Sequence, residues 1–205
     1  MTSSYRPVSA AALAALVLMF AGPAAARAQH SMAGMSGHAK ITIPDSVIYT
    51  VADVEFMQGM IAHHAQAIYM SRMAEAHHAS PRLIKLANKI DQSQVAEIAI
   101  MQEWLRRNGQ FVPDTSSWHT VRMAGMLTDE QLKELDASKG AEFDHAFLTM
   151  MIQHHEGALQ MVDDLLNTPL AAQDVDVGVF ANDVVTVQTA EIGAMQRMLS
   201  QMSDK

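Results

Sequence analysis

Apolar and small residues recur from Phe56 to Ala74 at steps of four, three, four, three and four: Phe56, Met60, His63, Ala67, Met70 and Ala74. This is the inward stripe of a bundle helix that begins by Asp53. Met57, Ile61, His64 and Ile68 form a second stripe beside it, so the apolar face is wide. Ser80-Pro81 suits the start of a second helix, with proline at the first helical position, and Asn108-Gly109 suits its stop. Its inward positions are Ala87, Asp91, Gln94, Ile98, Met101 and Leu105. Residues 109–127, carrying Pro113, Trp118 and His119, read as an irregular connection, and "TDEQLKEL" from Thr128 opens a short capped helix. A third long helix starts near Gly140 and ends by Asn167-Thr168-Pro169. It carries Phe147, Met151, His154, Ala158, Met161 and Leu165 in one stripe and Leu148, Ile152, His155 and Leu159 alongside. A fourth covers residues 175–202, with Ala181, Val185, Gln188, Ile192, Met195 and Leu199 inward.

The four long helices are two copies of one hairpin. Asp53, Phe56, Met60, Ile61, His63, His64, Ala67 and Met70 match Asp144, Phe147, Met151, Ile152, His154, His155, Ala158 and Met161 at a constant offset of 91. In the second helix of each copy, "AEIAIMQEWL" from Ala96 matches "AEIGAMQRML" from Ala190 at an offset of 94. A hairpin of this kind cannot bury its apolar face alone, so the pair predicts an all-α chain with a four-helix bundle.

The first 28 residues change the picture of where the chain works. Arg6, an apolar run from Val8 to Ala21 and the triplet Ala26-Arg27-Ala28 form the three parts of a secretory signal peptide, with cleavage expected after Ala28. The run is shorter than the roughly 18–20 residues of a spanning helix, which argues against a membrane anchor. The expected organisation is a signal peptide over 1–28, a flexible His- and Met-containing segment over 29–46 and a helical domain over 47–205. The mature chain is then periplasmic or secreted, without a membrane span.

Cleavage removes 2 of the 14 basic residues and none of the 22 acidic ones, leaving a net charge of −10. That balance argues against nucleic acid and anionic membranes as partners. Cysteine is absent, so an exported chain here has neither disulfides nor a thiolate. Of 17 methionines, 15 remain after Ala28, and thioethers stand where a soft thiolate ligand otherwise would.

Two His-His dyads, His63-His64 and His154-His155, sit at equivalent repeat positions among Met60, Met70, Met151 and Met161. Neighbouring helical residues point about 100° apart, so one dyad cannot aim both rings at one point on the bundle axis. Imidazole with thioether and no thiolate suits copper, methionine selecting Cu(I) and histidine serving both states. Copper is therefore expected, Cu(I) ahead of Cu(II). Glu97 and Glu191, one turn before Met101 and Met195, are candidates to accept an N–H from a ligating imidazole. Asp53 and Asp144 at the helix starts read as dipole-matched caps before ligands. His30, Met32, Met35 and His38 add a second candidate copper segment. His77-His78, without a repeat partner, reads as a solvated helix end.

Competing readings come from other classes. Two Glu-x-x-His motifs, Glu75 to His78 and Glu142 to His145, raise a ferritin-like di-iron or copper oxidase. They lie at opposite kinds of helix end, and the duplication preserves neither. A metal-free bundle binding another envelope protein is the third reading. No nucleophile elbow, phosphate loop or dinucleotide fingerprint occurs in the sequence.

"DVEFMQGMIAHHAQAIYMSRMA" and "FDHAFLTMMIQHHEGALQMVDDLL", with the two "AEI" segments, resemble the bacterial domain-of-unknown-function 305 family over residues 45–203. The second copy departs from the doubled aromatic-Met-x-x-Met-Ile-x-His-His pattern at Leu148. The resemblance implies a ferritin-like fold and a family that includes exported copper-binding proteins. It also implies that His63, His64, His154, His155 and the nearby methionines are the metal-associated positions. The expected function is a non-enzymatic exported protein that sequesters or transfers copper and so confers copper tolerance. Copper ions, another periplasmic copper protein and a second copy of the chain are its candidate partners.

Overall fold

The computed structural model describes residues 41–203. Five α-helices follow one another: α1 (Val51–Met73), α2 (Pro81–Arg107), α3 (Asp129–Ala137), α4 (Ala141–Leu166) and α5 (Val175–Ser203). A 3-10 helix spans Thr115–His119 between α2 and α3. The chain is all-α, as its periodicity predicts, and no strand occurs among the described residues. The signal peptide and the segment with His30, Met32, Met35 and His38 lie outside the described residues.

Local chemistry sets the helix starts. Thr50 and Asp53 close a reciprocal capping box at α1, and Thr128 with Gln131 closes another at α3. Ser80 caps α2, with Pro81 next. The aspartates at equivalent repeat positions do more than cap. Asp53 Oδ1 also accepts from the backbone N–H of Ala172, and Asp144 accepts from that of Ser80, so each ties its helix to the turn of the other hairpin.

Those ties run α1 and α4 antiparallel. α1 packs along α2, α4 along α5, and α1 against α4. Arg107–Asp176, Lys89–Glu191 and Arg82–Gln201 place α2 antiparallel to α5. The long helices therefore form a ring in the order α1, α2, α5, α4, related in pairs by a pseudo-twofold axis. With every neighbour antiparallel, α2 and α4 point the same way, so the chain between them must travel the length of the molecule.

That crossover is a packed strap, where the sequence suggested only an irregular connection. It follows α1 from end to end: Gln58 Nε2 donates to Phe111 O at 2.8 Å, Trp118 meets Tyr69, Gln66 bonds both backbone groups of Leu127, and His77 reaches Asp136. Trp118, Val121, Met126 and Leu127 are buried by it. Two glycines let it settle. A Cβ on Gly157 of α4 would stand 2.1 Å from Ala124 O, and Gly125 (φ +75) would meet Gln153 O at 2.6 Å. Because α1 is covered by α2, α4 and the strap, almost every residue from Asp53 to Met73 is buried, which is more than two stripes predict.

Two sequence expectations need correction. Asp91 and Val185, at matching repeat positions, are not inward: Asp91 pairs with Arg72 and Val185 is exposed, while their predecessors Ile90 and Val184 are buried. The steps Ala87, Ile90, Gln94 are three then four, the reverse of the order assumed. His77 is not a solvated end either. Its nitrogens face Met73 O and the Asp136 carbonyl and carboxylate, and its ring stacks on Phe143. Of the dyad only His78 is exposed, with φ 56 turning the chain out of the helix. Ile41 and Ile43 are partly buried against the core.

Candidate metal centre

Where α1 and α4 cross, the imidazoles of His63 and His154 face each other with ring centroids 3.9 Å apart. His64 and His155 stand 6.4 and 6.3 Å from their dyad partners, turned toward α2 and α5. All four side chains are fully buried. The helical angle between adjacent residues thus sends one ring of each dyad to the centre and one to a hairpin seam.

Three of the four Nε2 atoms are held by oxygen. His63 Nε2–H donates to Ala124 O of the strap at 3.0 Å. His64 Nε2 meets Glu97 Oε2 at 2.6 Å, and His155 Nε2 meets Glu191 Oε2 at 2.9 Å. The repeated "AEI" glutamates thus stand behind the seam imidazoles in both halves, and Lys89 Nζ lies 3.5 Å from the other Glu191 oxygen. A neutral ring whose Nε2–H is engaged keeps its lone pair on Nδ1. Burial first, then the His64 imidazole beside it, pushes His63 down to about 3, and burial with His63 and its neighbours holds His154 well below the usual histidine range. At neutral pH these two rings are uncharged Lewis bases.

Several nitrogens of the layer have no protein partner. Nδ1 of His63, His64 and His155 makes no hydrogen bond, and neither does any amide atom of the buried Gln94 and Gln188. Each unmet buried group costs about 1–3 kcal/mol. The lone pairs among them, on Nδ1 of His63, His64 and His155 and on the two amide oxygens, fit an electron-pair acceptor. Among the described residues no three His or carboxylate side chains form a ready metal cluster, so a centre here needs donors of another kind. Met60, Met70, Met101, Met151 and Met195 are fully buried and Met161 is 6% exposed, all on the inward faces of the same four helices. Glu75, His78, Glu142 and His145 are all exposed, so the Glu-x-x-His motifs build nothing in the interior.

Spacing placed Gln94 and Gln188 on inward stripes without giving them a chemical role, and it missed the strap carbonyl. A signal existed for both. Gln94 and Gln188 share the offset of 94 with the glutamates, and Met123-Ala124-Gly125-Met126 repeats Met32-Ala33-Gly34-Met35 at the hairpin offset of 91.

Solved structures share this architecture. A DUF305 fragment from Deinococcus radiodurans is 30% identical, covers 75% of this chain and 98% of its own, and superposes with a TM-score of 0.65. A DUF305 protein from Streptomyces coelicolor is 26% identical over 74% of this chain and 94% of its own, with a TM-score of 0.64. CopM, solved in Cu(I)-bound and Cu(II)-bound forms, is 28% identical over 73% of this chain and 96% of its own, with a TM-score of 0.59. No curated protein matches the chain. The domain of unknown function DUF305 matches residues 53–199, the whole span of the duplicated hairpins, and the chain belongs to that family.

Proposed function

We propose that this chain is an exported copper-binding protein that sequesters copper or hands it on, through His63, His64, His154 and His155 with the buried methionine thioethers. The observation that carries this reading is the Nδ1 atoms of His63, His64 and His155, which no protein group satisfies, in rings whose Nε2 atoms are held by Ala124, Glu97 and Glu191. A carbonyl or carboxylate behind a ligating imidazole sets its tautomer and raises its basicity. Neutral imidazole with thioether favours Cu(I), and CopM, solved in Cu(I)-, Cu(II)- and silver-bound forms, supports a site of this family that takes copper. Met60 and Met151, three residues before the central histidines, and Met101 and Met195, one turn beyond the glutamates, are the nearest thioethers in sequence. Met70 and Met161 lie two turns further along the central stripe. His30, Met32, Met35 and His38 form a separate candidate copper segment. No helix among the described residues is long and apolar enough to cross a membrane.

The test is anaerobic Cu(I) titration of the chain against a competing chelator, beside Cu(II) and Zn(II), for the mature protein, a variant beginning at Lys40 and His63→Ala/His154→Ala. Tight uptake that survives the truncation and is lost with the two histidines supports a copper centre in the helical core. Uptake lost on truncation moves binding to the N-terminal segment, and no uptake at all removes copper.

A further inference from the structure

We propose that Gln94 and Gln188 are the oxygen donors with which the core centre holds copper in its oxidised state, the methionine thioethers serving the reduced state. This rests on the copper reading of the same centre and assigns to it an oxidation-state selectivity. Gln94 is 1% and Gln188 2% exposed, and neither amide oxygen nor amide nitrogen of either makes a hydrogen bond. A buried carboxamide in a helix ordinarily finds a partner. Here two do not, and they occupy equivalent positions in the two hairpins.

Their placement is specific. Gln94 lies three residues before Glu97, which holds His64, and Gln188 three before Glu191, which holds His155, so each amide shares a helix face with the carboxylate behind a seam imidazole. The antiparallel register of α2 and α5, fixed by Lys89–Glu191 and Arg107–Asp176, sets Gln94 opposite Gln188. The buried interior thus carries polar groups on all four long helices, imidazole on α1 and α4 and, within a turn of the glutamates that hold the outer rings, carboxamide on α2 and α5. Thioether and carbonyl oxygen divide the two copper states between them. Soft sulfur selects Cu(I), whereas Cu(II) takes nitrogen and oxygen in tetragonal geometry, and a glutamine oxygen is an alternative to methionine as a weak ligand of copper sites. The same imidazoles serve both states, and the ligands exchanged on oxidation are sulfur for oxygen.

The experiment is Gln94→Leu/Gln188→Leu in the full mature chain, titrated anaerobically with Cu(I) and separately with Cu(II), with the electron paramagnetic resonance spectrum of bound Cu(II) recorded beside it. Leucine keeps the volume and removes four orphaned amide atoms, so the copper-free variant should melt no lower than the parent. If it fails to fold, Gln94→Met/Gln188→Met, unbranched and of similar size, takes its place. The expected result is a Cu(II) affinity lower by about tenfold or more, the scale of losing a supporting ligand, with a changed Cu(II) spectrum and a Cu(I) affinity equal to or above the parent's. An unchanged Cu(II) affinity and spectrum, or an equal loss for both states, overturns the proposal. His63→Ala/His154→Ala separates the two ideas: copper binding that survives it removes the copper reading of the centre, whereas binding that depends on it but ignores the glutamines removes only their role.

Discussion

Each central histidine is balanced between two demands: burial denies it a proton, and its free nitrogen asks for a Lewis acid. The first demand predicts acid sensitivity. In the unfolded chain His63 and His154 protonate near pH 6.5, whereas folded His63 does so only at about 3 and folded His154 well below the usual range. Between those limits the unfolded state binds more protons. Stability is therefore fully present above pH 6.5 and falls with acid at about 1.4 kcal/mol per pH unit for each such histidine. Urea unfolding of the copper-free protein at pH 7.5 and 4.5 checks this, and a flat profile would contradict it. The second demand predicts that Glu97→Gln and Glu191→Gln each weaken copper binding by about 10–100-fold while leaving the ligands in place, because an amide supports the ring less well than a carboxylate. Chelator competition measures that loss. These roles were partly legible from residue type: His, Met and Glu at a repeated spacing suggested ligands and their supports. Gln94 and Gln188 were not, since a glutamine on an apolar stripe looks like a boundary residue until its atoms are found buried without partners.

At the scale of the elements, the helices follow from heptad spacing and capping residues, which act within a few positions along the chain. The crossover does not, because what orders it is contact with helices far away in sequence. Gly157 shows the difference. It stands at the repeat position of Gln66, and the two do opposite work: Gln66 bonds Leu127 from α1, while Gly157 clears the space that Ala124 fills on α4. Gly157→Ala is expected to destabilise the protein by about 1–3 kcal/mol through overpacking against a backbone carbonyl. It should also release Ala124 from His63, visible as faster amide exchange along residues 121–127. The reciprocal aspartates belong to the same scale. Asp53→Ala and Asp144→Ala each leave a part-buried N–H, of Ala172 or Ser80, unmet and should each cost about 1–3 kcal/mol in urea unfolding.

For the molecule as a whole, copper that binds only the folded state must stabilise it. At free metal one hundred times the dissociation constant the gain is about 2.7 kcal/mol, so the unfolding transition of the mature protein should rise with Cu(I) and return when a chelator removes it. An unmoved transition would contradict binding in the core. The all-α class, the duplication and the polar dyads inside an apolar stripe were determined by sequence alone, because periodicity, caps and repeats are local or self-referential signals. Only the tertiary structure decided that α1 and α4 run antiparallel with His63 against His154, that Glu97 and Glu191 stand behind the outer rings, and that a strap closes over one of the central two. A one-dimensional pattern carries the face on which a residue lies. Which faces meet depends on the direction each helix runs, and here that direction is set by contacts such as Asp53 with Ala172, 119 residues apart.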